Sequence, residues 1–187
     1  MEYEARCRVY IATGLQKLKA FVGERGKFVT DDSIGKFLNV EIVLRPFERE
    51  ELEPVFSGIT SILGFYENFV FDENCGLHAN FRADDALKER FYRLLSDGRY
   101  DSARFSHSKY KADFNTTIRG RDGQVMSYRE YLDYQHTVGA KYCGVNFLKP
   151  KLLEVRTLNL AWEDVAFFYD VYDEAKALLH QEEAAGV

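Results

Sequence analysis

Apolar residues recur along this chain with two different periods, and the switches between the periods mark its elements. Tyr3 to Ile11 alternates as a strand does, whereas Leu15, Leu18, Phe21 and Val22 lie at helical spacing within Gly14 to Val22, ahead of the break Gly23-Glu24-Arg25-Gly26. Lys27 to Ile34 and Leu38 to Phe47 read as strands, the second rich in branched residues and stopped by Pro46. Glu48 to Tyr66 reads as a helix: its acidic first turn suits the positive end of the helix dipole, and Val55, Phe56, Ile59, Ile62, Leu63 and Tyr66 form one stripe. After a strand over Gly76 to Arg82, Asp84 or Asp85 caps a helix through Leu95 that ends at Asp97-Gly98. The stretch Arg99 to Met126 has no clear period, although Gly120-Arg121-Asp122-Gly123 reads as a turn. Ser127 followed three positions later by Glu130 is a capping-box spacing that starts a helix near Tyr128. Gly144 to Leu148 and Leu152 to Leu160 are strands around the tight connection Lys149-Pro150-Lys151, and Glu163 to His180 is an amphipathic helix.

Strands and helices mix without the strict alternation of a doubly wound parallel sheet. The expectation is an α+β fold on a mainly antiparallel sheet. No repeat, linker or shift in composition divides the 187 residues, so residues 1–187 read as a single domain, long enough to bury roughly 70% of the surface of the unfolded chain. A formal charge of -5 argues against a dedicated nucleic-acid binder, because the basic residues between Arg82 and Lys111 are interleaved with acidic ones. No apolar run approaches the roughly 20 residues of a membrane span, and Met1-Glu2-Tyr3-Glu4 lacks a signal-peptide pattern, which predicts a cytoplasmic protein with no membrane partner. Cys7, Cys75 and Cys143 are odd in number and widely spaced, so buried free thiols are expected rather than disulfides or a zinc site. Dinucleotide, P-loop and serine-hydrolase motifs do not occur.

Chemistry concentrates in two strands. In Gly76 to Phe81 and in Leu153 to Leu158, positions two apart share a face, so His78 lies beside Asn80, and Glu154 beside Arg156, each pair with apolar neighbours turned away. Glu41 is a charge within Asn39 to Leu44, costly there unless metal-bound or paired, for instance with Arg45 or Arg156. Glu2 and Glu4 share a face of the first strand. Each residue alone has an ordinary alternative: surface carboxylates for Glu2 and Glu4, a satisfied histidine for His78, cross-strand ion pairs for Glu154 and Arg156. As a set they offer a divalent cation carboxylate oxygens and one imidazole, a pocket suited to phosphoryl transfer. In that scheme Glu2, Glu4, Glu41, His78 and Glu154 are metal ligands, and Arg156 offsets charge on the departing phosphoryl group. Lys141 and Asn146 could reach phosphate or substrate, or be a surface lysine and a turn asparagine.

In this order, Glu2-x-Glu4, Asp31-Asp32-Ser33, Glu41 to Pro46, Gly76-x-His78-x-Asn80-Phe81, Asn146 and Glu154-x-Arg156 resemble the carboxylate-amine ligase superfamily of glutamine synthetase, glutamate-cysteine ligase and the amidoligases of bacterial and phage genomes. The resemblance runs from Glu2 to about Trp162. It implies a curved antiparallel sheet, a half-barrel like that of glutamine synthetase with helices packed on one side. Its concave face would bind ATP and Mg²⁺ or Mn²⁺. The implied reaction converts a small-molecule or peptide carboxylate to an acyl phosphate, which an amine then displaces. Glu154 and Arg156 would be catalytic, and Lys141, Asn146 and Arg156 would contact the nucleotide.

Two other classes are open. One is a binding protein that keeps the fold without turnover, such as a phage effector or inhibitor seated on a host protein, with Tyr100, Phe105, Tyr110 and Phe114 as exposed anchors. The other is a metal-dependent hydrolase using the same carboxylates and His78 to activate water.

Overall fold

A computed structural model describes residues 13–29, 41–66, 77–99, 114–158 and 161–185. The chain divides into two compact units, Met1–Asp72 and Glu73–Val187, at a point where the sequence has no linker signal. The secondary structure is α+β, and every described strand pair is antiparallel.

In the first unit, helix α1 (residues 13–22) leads through a short 3₁₀ turn into strand β1 (Gly26–Val29), which pairs with β2 (Glu41–Leu44). Helix α2 (Arg49–Phe65) opens with Glu50 and Glu51 in its first turn, as its dipole favours. Leu18 and Val22 of α1 meet Val55 and Ile59 of α2 in the core, with Phe21, Phe28, Ile42 and Leu44 against them. Gly26 is placed by close approach: a Cβ there would lie 2.7 Å from the Val43 carbonyl oxygen.

In the second unit, strand β3 (Leu77–Arg82) precedes α3 (Asp85–Leu94), whose N-cap Asp84 accepts a hydrogen bond from the Leu87 amide. A short helix α4 (Phe114–Thr117) and a turn closed by Gly123 N–H to the Gly120 carbonyl lead to α5 (Tyr128–Val138). The capping box expected at α5 is present in full, with Ser127 and Glu130 each bonding the other's backbone amide. Strands β4 (Val145–Asn146) and β5 (Leu152–Leu158) follow, then helix α6 (Trp162–Ala185). The sheet order is β3-β5-β4, which puts β5 at the centre.

One face of this sheet is apolar. Phe81 of β3 packs against Phe91 of α3 and against Tyr169 and Tyr172 of α6, while Phe91 also stacks on Phe168. Tyr92, Phe114, Tyr131 and Phe147 continue the aromatic core through edge and stacked contacts. Gln135 is fully buried in it and ties α5 to β4: its amide donates to the Val145 carbonyl and accepts from the Phe147 amide. Burial in this core pushes the Tyr92 hydroxyl up to about 12, and the proton it keeps is donated to the Met126 carbonyl. Cys143 is a free, buried thiol, as expected; Cys7 and Cys75 lie outside the described residues.

Strand β5 carries a bulge. Ala79 pairs with Val155 and Leu77 with Leu158, so two residues, Arg156 and Thr157, span what His78 alone spans on β3. Simple alternation from Leu153 and Val155 would turn Leu158 away from the core. The extra residue reverses that parity, and Leu153, Val155 and Leu158 are all fully buried.

Candidate functional site

Alternation places His78, Asn80 and Arg82 on the opposite, polar face of β3, with Glu154 on β5 and Asn146 on β4. Asn80 and Asn146 are the direct cross-strand partners of Glu154, one from each neighbouring strand. Because β5 is central, Glu154 is covered from both sides and its side chain is only 4% exposed. A charge at that depth requires compensation.

Compensation comes from three side chains, with a fourth nearby. Lys149, on the connection between β4 and β5, donates from Nζ to Glu154 Oε1 at 2.7 Å. Arg156 donates from Nη1 to Oε2 at 3.0 Å, and Asn146 Nδ2 donates to the same oxygen at 3.1 Å. His78 Nδ1 stands 3.7 Å from Oε1, beyond hydrogen-bond reach. Burial pushes the Glu154 carboxyl up, but the hydrogen bond from Lys149 and the charges of Arg156 and Lys149 together hold it below the usual carboxylate range. Two permanent cations against one carboxylate leave the cluster with surplus positive charge. Arg156 Nε is buried and donates to no partner among the described residues.

The scaffold of the cluster is anchored from behind. Lys88, a buried lysine of α3, donates from Nζ to the Lys149 carbonyl at 2.7 Å. Asn146 Oδ1 accepts the Leu148 amide at 2.9 Å, which orients its Nδ2 toward Glu154. Lys151 takes a left-handed conformation (φ 56°) to close the turn.

Of the residues named from sequence, the structure thus brings together His78, Asn146, Glu154 and Arg156. Lys141 is not among them: it is exposed on a 3₁₀ turn with its ammonium over the Tyr142 ring. Glu41 lies in the first unit, at the start of β2, and is exposed, so the burial cost that singled it out does not arise. Glu2 and Glu4 lie outside the described residues, as do Tyr100, Phe105 and Tyr110. Phe114 corrects an expectation: it is fully buried against Tyr92 and Tyr131, so it is no exposed anchor. Lys149 was not singled out, although a lysine in a two-strand turn five residues before a strand carboxylate is within reach of it.

Among the described residues, no three of His, Cys, Asp and Glu are grouped so as to hold a metal ion. No helix among them is long and apolar enough to cross a membrane. Comparisons with protein-family models, with curated proteins and with solved structures find no match.

Proposed function

We propose that this chain is an ATP- and Mg²⁺-dependent carboxylate-amine ligase, its reacting face the polar side of the β3-β5-β4 sheet, part of a curved sheet like that of glutamine synthetase. The observation that supports this reading is the convergence of His78 of β3 and Arg156 of β5 on the buried carboxylate of Glu154. In the octahedral coordination Mg²⁺ demands, donors at about 2.1 Å lie about 3.0 Å apart when adjacent, so His78 Nδ1 and Glu154 Oε1, now 3.7 Å apart, would have to close up to share an ion. His78 and Glu154 are the two members of the expected ligand set that the described residues bring together. When bound, Mg²⁺ neutralises phosphate charge.

The chain's own groups do the rest. Arg156, fixed through Nη1 to Glu154, brings a guanidinium with donor capacity to spare to the polar face of the sheet. Its charge is in place before reaction, so no reorganisation is needed as negative charge grows on the acyl phosphate. Asn146 holds Glu154 in orientation for this pairing. The test is thermal unfolding with MgATP. Binding at 100 times the dissociation constant stabilises by about 2.7 kcal/mol, a rise that Arg156→Gln should abolish, and ADP release should require both a carboxylate and an amine.

A second reading has its own observation. Both Glu154 oxygens already accept hydrogen bonds from Lys149, Arg156 and Asn146, which suits a binding protein that kept the fold and lost turnover. A melting temperature unmoved by any nucleotide or divalent ion, with specific capture of one host protein, would favour it.

A further inference from the structure

The sheet of the second unit is basic in a chain that is acidic as a whole. Across β3, β4, β5 and the connection 147–151 the sequence carries Arg82, Lys149, Lys151 and Arg156 against a single acidic residue, Glu154, whereas the whole chain has a formal charge of -5. Depth separates these charges. The Glu154 side chain is 4% exposed, while those of Arg156 and Lys149 are 17% and 40% exposed. A solute reaching this face therefore meets the two cations, with the carboxylate beneath them. Both cations also keep donors to spare. An ammonium has three N–H groups, and that of Lys149 gives one to Glu154 Oε1. Arg156 gives Nη1 to Oε2 and buries Nε, which leaves Nη2 as the nitrogen open to a ligand. We propose that Lys149 and Arg156 form a metal-independent binding site for a phosphate group, with Glu154 as the buried counter-ion that holds both cations in place.

The site requires neither metal nor turnover, so it goes beyond the ligase reading and holds equally for a protein that only binds. Two cations against one carboxylate leave one positive charge unmatched, and a phosphate ester brings about 1.5 to 2 negative charges near pH 7. Because Lys149 and Arg156 bond the same carboxylate, one tetrahedral group could bridge Nζ and Nη2, and such charge-assisted bonds are stronger than neutral ones. Glu154 fixes both side chains before the ligand arrives, so less freedom is lost on binding than two unattached surface side chains would lose. The backbone of Lys149 is pinned as well, since its carbonyl accepts from both Lys88 Nζ and the Leu152 amide.

The test titrates the full chain with inorganic phosphate in EDTA, by calorimetry, at constant ionic strength so that screening does not change. Wild type should bind saturably, Lys149→Met and Arg156→Gln tenfold or more weakly, and Lys149→Arg nearly as wild type does. Arg121→Gln removes an exposed charge from the turn between Gly120 and Gly123, outside the sheet, and should leave binding unchanged. Because Lys149→Met leaves Glu154 one cation short, a second measurement uses the unaltered protein: acetylation of the Lys149 amine, read by peptide mass, should fall several-fold in phosphate relative to chloride of equal ionic strength. No saturable binding by wild type, equal binding by Lys149→Met, or Lys149 acetylation indifferent to phosphate overturns the proposal. Comparing ATP with inorganic triphosphate, both in EDTA, identifies the source: tighter binding of ATP assigns the phosphate to a nucleotide, equal binding to a phosphate group whatever it is attached to, and either supports the site. ADP release with Mg²⁺ separates this proposal from the ligase: metal-free phosphate binding without ADP release upholds the site and defeats the ligase, whereas ADP release that needs a carboxylate and an amine, without metal-free phosphate binding, defeats the site and leaves the ligase.

Discussion

Glu154 shows how much of a site one residue can organise. Its carboxyl is held below the usual range, so its pairing contributes stability above the ordinary carboxylate value of about 4.3, and that contribution is lost as pH falls through the lower folded value. Glu154→Gln should cost on the order of 2 kcal/mol at pH 7, less than a fully buried broken pair because Lys149 can turn to solvent. The variant should also lose part of the wild-type fall in melting temperature between pH 5 and 3; parallel pH profiles for the two would refute the assignment. Gln135 makes a second case. Gln135→Leu leaves the Val145 carbonyl and the Phe147 amide without their partner, at about 1–3 kcal/mol for each stranded group, and a urea midpoint within error of wild type would contradict this. The strand period exposed Glu154, Arg156 and His78 as neighbours because alternation is local. Lys149 escaped the same reasoning because its reach to Glu154 depends on the conformation of a turn, which alternation does not describe.

At the scale of elements, what was legible follows from caps and stripes. The capping box at Ser127, the Asp84 cap and the stripe of α2 are short-range signals satisfied within a turn or two, and all three stand in the structure. The stretch between α3 and α5 was opaque for the opposite reason. Its described parts are the turn Leu95–Arg99, one helical turn at Phe114–Thr117 and a bridge of Arg119 with Val125, each too short for any period to show. Phe114 looked like a surface aromatic because its burial depends on Tyr92 and Tyr131, partners remote in sequence. Strand β1 offers a test of packing against propensity. Gly26→Ala should favour an extended backbone but press a methyl against the Val43 carbonyl, which is main chain and cannot swing aside. The expected result is a loss of about 1–3 kcal/mol, and a stability unchanged in denaturant titration would show that the β1–β2 pair relaxes more easily than its geometry implies.

The whole molecule has two cores of unequal weight. Among the described residues, the first unit buries Leu18, Val22, Val55, Phe56, Ile59 and Tyr66, while the second holds a more extended aromatic cluster. A unit with its own core can unfold on its own, and the smaller core should yield first. The single tryptophan, Trp162, lies in α6 of the second unit and reports that unit alone. In urea, Gly26→Ala should advance the early part of the far-ultraviolet dichroism transition and leave the Trp162 emission midpoint in place; a joint shift would mean that both cores melt as one. The bulge in β5 bears on how this chain can vary. Exchanging one side chain for another along Leu152–Leu158 leaves the parity of the ladder intact, but shortening the strand by one residue between Val155 and Leu158 does not. Either Leu158 would be turned to water or Glu154 would be driven, with its charge, among the phenylalanines. Length, more than identity, is what this stretch has least freedom to change.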